Sequence, residues 1–297
     1  MDDDIQRIIE GKQLELGDRE LPPFDEYRIY KNIQEAVMRE EKRKNRRIRM
    51  PLFFKWTVAC AIVLLVIGVG YNFYQSHNEA NLVYREVCAV RGEKLLVLLP
   101  DGSRVWLNAD SKLTYPEQFA KYNRNVTLEG EAYFEIAENK KSPFLVLAEN
   151  VKIQVTGTCF NVKAYASDKV IKTTLDEGSI NIGHVQSRRP MQQMLPGQTA
   201  VYEKRSNVIK IKTDRYHDDA SSWKSNRLIF RNASLKEVLT TLSRHFDIEI
   251  TVKNEKIASF TYDFVCKGND LNYVLEVMQS ITPVSFKKIS EYTYTVE

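Results

Sequence analysis

The chain has 297 residues, with 43 lysines and arginines against 39 aspartates and glutamates and a formal net charge of +4 at pH 7. This length suffices for one or two folded domains. The four cysteines (Cys60, Cys88, Cys159 and Cys266) stand far apart without a C-x-x-C pair, and no Walker loop, nucleophile elbow or H-E-x-x-H helix occurs, so we predict no disulfide framework, no metal site, no cofactor and no enzyme.

The N-terminal segment, residues 1–50, is predicted to be helical. Asp25 can cap a helix that continues to about Arg47. Apolar side chains recur on it every four residues, which is typical of an amphipathic stripe. Fifty residues cannot bury much core alone, so the segment is either completed by a protein partner or is a solvated juxtamembrane stalk. The candidate partner-binding residues are Tyr27, Ile29, Tyr30, Ile33 and Val37.

A long apolar run follows this segment. From Trp56 to Tyr74 there is no charged residue, and a helix of that length would extend about 28 Å. Between Met38 and Lys55 eight basic residues stand against two acidic ones. We therefore predict a single transmembrane helix over 52–74 in the inner membrane, with the N-terminus cytoplasmic and the C-terminal part periplasmic. The basic run then faces lipid headgroups, and no direct binding of nucleic acid is predicted.

From residue 83 to 213 the pattern changes to short alternating strands separated by turn residues. Helical spacing is nearly absent there, so we predict a mainly β domain, either a β-sandwich or a β-solenoid-like roll. Its glutamates Glu131, Glu135 and Glu177 could suggest a glycosidase pair. No spacing brings two of them together, so roles in strands and turns are favoured.

Residues 222–297 contain an internal repeat with an offset of 36 residues. Leu235, Val238, Leu239 and Leu242 match Leu271, Val274, Leu275 and Met278. Ser234 with Glu237 forms a capping box before the first helix, and Asp270 caps the second. Each unit thus comprises a strand, a helix and a strand, so the repeat predicts a small α+β domain with both helices on one face of one sheet.

Several motifs between Glu86 and Tyr202 occur in the order and spacing of one known family. They are Leu99-Pro100-Asp101-Gly102-Ser103 with Val105-Trp106-Leu107-Asn108; Arg124, Val126 and Leu128 with Gly130-Glu131-Ala132-Tyr133-Phe134-Glu135; Pro143-Phe144; Gly157-Thr158 with Phe160-Asn161-Val162 and Ala164-Tyr165; Thr174-Leu175 with Glu177-Gly178; and Pro196-Gly197-Gln198. This series resembles the FecR family of anti-sigma factors. Residues 222–297 resemble the C-terminal module of Bacteroidetes-type members, which is similar to the short N-terminal domain of secretins and TonB-linked receptors.

The resemblance implies a signalling role that depends on two protein partners. Members of the family hold an extracytoplasmic-function sigma factor through the N-terminal segment. Their other domains sense the signalling domain of a TonB-dependent outer-membrane receptor. The alternative is a membrane-anchored periplasmic scaffold that docks an envelope complex without binding a sigma factor. A periplasmic carbohydrate-active enzyme is the least favoured reading, because no catalytic constellation is present.

Overall fold

The computed structural model describes residues 26–44, 57, 60–72, 83–119, 123–187 and 189–297. The chain divides into two compact units, Met1–His77 and Asn78–Glu297. The described part of the first unit contains helix α1 (Glu26–Lys44) and helix α2 over residues 60–72. The remainder of the predicted N-terminal segment, residues 1–25 and 45–50, lies outside the described residues.

The predicted transmembrane helix is wrong. Among the residues that the structure describes, no helix combines the length and the apolar character needed to cross a membrane. The rest of the predicted span, at 52–56, 58–59 and 73–74, lies outside the described residues. The prediction of a single-pass inner-membrane protein, which depended on this helix, is overturned by the same finding.

The second unit begins with thirteen strands that form one sheet. They are β1 (Tyr84–Ala89), β2 (Leu95–Leu98), β3 (Arg104–Leu107), β4 (Ser111–Pro116), β5 (Arg124–Glu135), β6 (Phe144–Ala148), β7 (Val151–Val155), β8 (Cys159–Ala164), β9 (Val170–Glu177), β10 (Ile180–His184), β11 (Gln192–Met194), β12 (Gln198–Glu203) and β13 (Val208–Thr213). Alternate residues along most of these strands are buried, as expected where one face of a sheet covers a core.

Strand β5 is twelve residues long and belongs to both halves of the sheet. Its first part pairs with β4 and β6, and its second part pairs with β3 and β8. The two halves share one apolar core, in which Phe134 of the second half lies 6.4 Å from Phe144 of the first, measured between ring centroids. The predicted sandwich or solenoid is therefore replaced by a single sheet that curls into a nearly closed, barrel-like form, because one bent strand continues from one half into the other.

The chain leaves this sheet through a 3₁₀ segment, His217–Ser225, and then forms a C-terminal α+β lobe. The lobe contains β14 (Arg227–Ser234), α3 (Leu235–Phe246), β15 (Glu249–Val252), a 3₁₀ turn (Glu255–Ser259), β16 (Thr261–Lys267), α4 (Leu271–Ile281), β17 (Phe286–Lys288) and β18 (Thr293–Val296). The hydroxyl of Ser234 accepts the Glu237 N–H at the start of α3, and the carboxylate of Asp270 accepts the Asn272 N–H at the start of α4.

The repeat is visible in the lobe as an approximate two-fold arrangement. Strands β14 and β16 are equivalent in the two repeats, and they pair antiparallel with Ile229 directly opposite Val265, its own equivalent. Leu239 of α3 and Leu275 of α4 are both 5% exposed and belong to one core. The predicted single sheet is wrong, because β14 and β16 form one sheet and β15, β18 and β17 form another. A bulge between Phe230 and Ala233 interrupts β14 before α3 begins.

Candidate functional site

The stripe on α1 is exposed along the described part of the helix. Tyr27 is 80% exposed, Tyr30 65% and Ile33 57%, and Ile29 and Val37 are also exposed. At about 100° per residue, Ile29, Tyr30, Ile33 and Val37 fall within an arc of about 100°, and Tyr27 lies about 60° beyond it. The helix therefore brings four of the five predicted residues onto one face and places the fifth at its margin. Such a face is suited to lying in the groove of a partner.

One exposed apolar side chain on α1 was missed by the sequence prediction. Met38 is 62% exposed and follows Val37 directly. On a helical projection it falls within about 20° of Tyr27 rather than among the isoleucines. Methionine is unbranched and adaptable, and it is frequent on surfaces that bind partners. Extending the search from a spacing of four residues to neighbouring helical rows would have found it.

In the second unit, a chain of polar contacts joins the outer face of the sheet to the 3₁₀ segment. The Trp223 indole is buried and its Nε1 donates a hydrogen bond to Asn161 Oδ1 at 3.1 Å. The amide of Asn161 donates to Glu131 Oε1 at 3.0 Å, and that of Asn108 donates to Glu131 Oε2 at 2.9 Å. Both carboxylate oxygens of this buried glutamate are thus satisfied by amides, which is how a buried charge is tolerated.

The glutamates considered as a catalytic pair have separate surroundings. Glu135 forms an ion pair with Arg104 at 2.6 Å, whereas Glu131 is held by amides. Glu177 is exposed at the end of β9. The contacts of Glu131 and Glu135 are therefore those of strand residues that hold the sheet to its neighbours.

Next to Trp223, Lys224 lies over two aromatic rings of the sheet. Its Nζ is 3.3 Å from the centroid of the Tyr133 ring and 4.8 Å from that of Trp106, which is favourable for a cation on an aromatic face. Burial lowers the pKa of the Lys224 amine and raises the pKa of the Tyr133 hydroxyl. Burial also raises the pKa of Asp176, whose Oδ1 lies 3.8 Å from His217 Nδ1. Trp223 and Lys224 thus anchor the 3₁₀ segment on the sheet.

Three cations connect the loops of the sheet to the 3₁₀ segment and the lobe. The Arg244 guanidinium of α3 lies 3.6 Å from the centroid of the Tyr165 ring and donates to Asp168 Oδ1 at 2.9 Å. Lys94 Nζ donates to the Trp223 carbonyl at 2.7 Å, and Arg91 donates to the Ile248 carbonyl at 3.0 Å. Arg244 is itself only 7% exposed, and its pairing explains why this charge is tolerated at a junction.

A polar cleft of about 400 Å³ lies between the outer face of the sheet and the lobe. Strands β5, β8, β9, β12 and β13 supply one wall, and β14 and α3 supply the other. Sequence analysis missed this site, together with Trp223 and Arg244, because its two walls are far apart along the chain. The one available signal was the lone large apolar residue, Trp223, in the stretch 217–226.

Comparison with known proteins gives consistent matches to this second unit. A family model described as "FecR protein" matches residues 86–181, and one described as "FecR, C-terminal" matches residues 227–296. Together they cover more than half of the chain. No protein of curated function has a significant match.

Two crystal structures are similar to the chain, and both are of a "putative anti-sigma factor" from Parabacteroides distasonis ATCC 8503, at 1.65 and 2.50 Å resolution. Each matches with a TM-score of 0.66 and 26% sequence identity, and covers 72% of this chain and 98% of that chain.

Proposed function

Because this chain belongs to the FecR protein family, we propose that it is an anti-sigma regulator whose helix α1 binds a sigma factor. The family matches confirm the assignment made from the sequence motifs. The Bacteroidetes-type character of the C-terminal module remains a prediction. The similarity to the Parabacteroides distasonis protein described as a "putative anti-sigma factor" supports the regulatory role.

The observation that carries the proposal is the exposed apolar stripe. Burying isoleucine and tyrosine side chains lowers the free energy of the system by roughly 25 cal/mol per Å² of apolar surface removed from water. On α1 the side chains of Ile29, Tyr30, Ile33 and Val37 remain exposed. A groove on the sigma factor would cover them, as in other complexes of an amphipathic helix with a groove.

Binding of this kind regulates transcription without chemistry by the chain. A sigma factor whose polymerase or promoter contacts are covered by α1 is inactive until it is released. An inhibitor at about 100 times its dissociation constant leaves roughly 1% of its target free. Modest changes in affinity therefore change the active fraction many-fold.

We further infer the class of each of the two protein partners. The sigma factor is of the extracytoplasmic-function class, and the input comes from the signalling domain of a TonB-dependent outer-membrane receptor acting on the second unit. Both partners follow from the resemblance to the family. The junction between the sheet and the lobe offers the receptor's signalling domain a surface to which both parts contribute. Binding to one part can therefore change the position of the other.

The test is Ile33→Asp in the full chain, expressed at the normal level. A charge at the centre of a buried apolar contact should weaken binding of the sigma factor by about 2–4 kcal/mol. Co-purification of the sigma factor should be lost and transcription of its regulon should change.

The matched control is Asn32→Asp, which adds the same charge about 100° away on the helix. It should leave both readouts as in the unmodified chain. If Ile33→Asp also leaves both unchanged, the stripe is not the sigma-binding surface.

A further inference from the structure

The cleft between sheet and lobe carries an excess of positive charge. Six basic and four acidic side chains line it: Lys163, Lys172, Lys212, Arg227, Arg231 and Arg244 against Glu131, Asp214, Asp219 and Glu237. All four acids already have partners, and Asp214 accepts the Thr199 hydroxyl and the Tyr216 N–H, each at 3.1 Å. Glu131 accepts two amides, Asp219 pairs with Arg231 at 3.2 Å, and Glu237 lies 3.8 Å from Lys172.

Two of the lysines have no ion pair among the contacts of the described residues, namely Lys163 on β8 and Lys212 on β13. In the sheet, Lys163 lies directly opposite Lys172. Like charges in directly opposed positions destabilise a sheet. A sheet that concentrates cations in this way gains stability when an anion lies across them.

The cleft continues into a second cavity of about 310 Å³. The two share Lys163, Lys172, Glu237, Thr241 and Arg244, and the charged residues that the second adds are Asp168, Lys169 and Lys236. The result is one trough along the junction rather than an isolated pocket. Two of the three charges that the second cavity adds are basic, and the third, Asp168, pairs with Arg244 at 2.9 Å.

The spacing of the lysines indicates the length of the ligand. Strands β8 and β13 are three strand positions apart in the sheet, or about 14 Å at 4.8 Å per position. A single small anion occupies only part of this distance. An extended peptide, at about 3.3 Å per residue, covers this distance with four or five residues.

The other side chains of the trough favour a peptide over a nucleic acid. The Thr174 and Thr199 hydroxyls lie 3.0 Å apart on the floor and are hydrogen bonded to each other, and Thr199 donates to Asp214 at 3.1 Å. Their remaining lone pairs can accept a peptide N–H. Binding of single-stranded nucleic acid requires aromatic rings free to stack on bases. Here the rings of Trp223 and Tyr165 are buried, and that of Tyr216 lies 4.7 Å from the Arg231 guanidinium carbon, measured to the ring centroid.

We propose that this trough binds an acidic peptide segment in extended conformation, with its carboxylates on Lys163, Lys172 and Lys212. This inference goes beyond the proposed sigma-factor function and does not depend on it. The probes are fluorescently labelled hexaglutamate, hexaglutamine as the neutral peptide, and tripolyphosphate as a short free anion, each titrated against the full chain at low salt.

Hexaglutamate should bind, and hexaglutamine should not. Lys163→Gln and Lys212→Gln should each weaken hexaglutamate binding about tenfold, since each removes a charged hydrogen bond. Lys152→Gln, on β7 and outside the trough, should change nothing. Tripolyphosphate should bind more weakly than hexaglutamate, because it contacts only part of the trough.

A second measurement separates ligand binding from a structural role of the lysines. Without ligand, Lys163→Gln should raise the temperature of unfolding, because it relieves the repulsion with Lys172. The proposal is overturned if hexaglutamate does not bind, if its affinity is the same in the Lys163→Gln/Lys212→Gln double variant, or if tripolyphosphate binds as tightly. Equal binding of hexaglutamine would also overturn it.

Discussion

At the scale of single residues, Gly130 determines how β5 serves both halves of the sheet. Its φ is +98°, in the region that residues with a side chain rarely adopt. A Cβ at this position would lie 2.7 Å from Ser111 Cα. The backbones approach so closely because the Ser111 hydroxyl accepts the N–H of the next residue, Glu131, at 2.9 Å. Gly130 therefore allows both the bend and the contact with β4.

We predict that Gly130→Ala lowers the free energy of unfolding by about 2–6 kcal/mol, from backbone strain plus the collision with Ser111. Gly102 provides the control. It also has a positive φ, +85°, but no atom lies within 4 Å of where its Cβ would be. Gly102→Ala should therefore cost only the strain, about 1–3 kcal/mol. Urea unfolding measures the free energy of unfolding of both variants. Equal decreases in Gly130→Ala and Gly102→Ala would show that the collision with Ser111 is absent.

A second residue-scale feature explains three of the motif residues. Arg124 and Asp101 form a buried ion pair at 3.1 Å, with side chains 2% and 7% exposed. Arg124 also donates to the Ala137 carbonyl at 3.0 Å, and Asp101 accepts the hydroxyl of Ser103 at 2.9 Å. The donors and acceptors of both charges are thus satisfied, as a buried pair requires.

At the scale of elements, the two helices of the lobe occupy equivalent places. Leu239 and Leu275 stand 36 residues apart in the sequence, are equally buried and pack in the same core. Both lie on the apolar faces that also include Val238 and Val274. The repeat in the sequence is therefore a repeat of packing environments.

We predict that Leu239→Ala and Leu275→Ala each lower the free energy of unfolding of the lobe by about 2–5 kcal/mol, from lost apolar burial and the cavity that remains. Glu276→Ala, at an exposed position of α4, should change it by less than about 0.5 kcal/mol. Chemical denaturation followed by circular dichroism tests this. A loss at only one leucine would show that the two environments are not equivalent.

At the scale of the whole second unit, Trp223 connects two cores that are otherwise separate. The sheet and the lobe each have their own cluster of buried apolar residues, and Trp223 belongs to neither. Instead it is buried at the junction and bonded to Asn161. The position of the lobe on the sheet is thus maintained by this residue together with the cation contacts of Lys94, Lys224 and Arg244.

We predict that Trp223→Ala weakens the junction while both cores remain folded. Truncating a buried tryptophan costs about 3–5 kcal/mol, and here that loss falls on the docking of the lobe. Hydrogen exchange should increase at residues 217–226 and along β8, with protection of α3 and α4 retained.

Trp223→Phe should give a smaller increase in hydrogen exchange at these residues than Trp223→Ala. The phenylalanine ring keeps most of the apolar contact, and the N–H donor is lost. Loss of protection throughout the lobe in Trp223→Ala would contradict the view that the lobe has an independent core.

The sequence by itself determined features that depend on neighbours along the chain. The alternation in Val151–Val155 specified which side of β7 is buried, and the spacing of Leu235, Val238 and Leu242 specified the buried face of α3. The motifs determined the family. Each of these follows from local periodicity, because a face that must leave water repeats at the period of its own element.

The tertiary structure alone decided which surfaces meet. The pair of Arg124 with Asp101, the curling of the sheet about β5 and the cleft beneath the lobe join residues distant in sequence, and periodicity does not identify the partner of an apolar or charged face. The transmembrane prediction failed for a related reason. An apolar run measures the tendency of residues to leave water, and among the residues that the structure describes no helix is both long and apolar enough to cross a membrane.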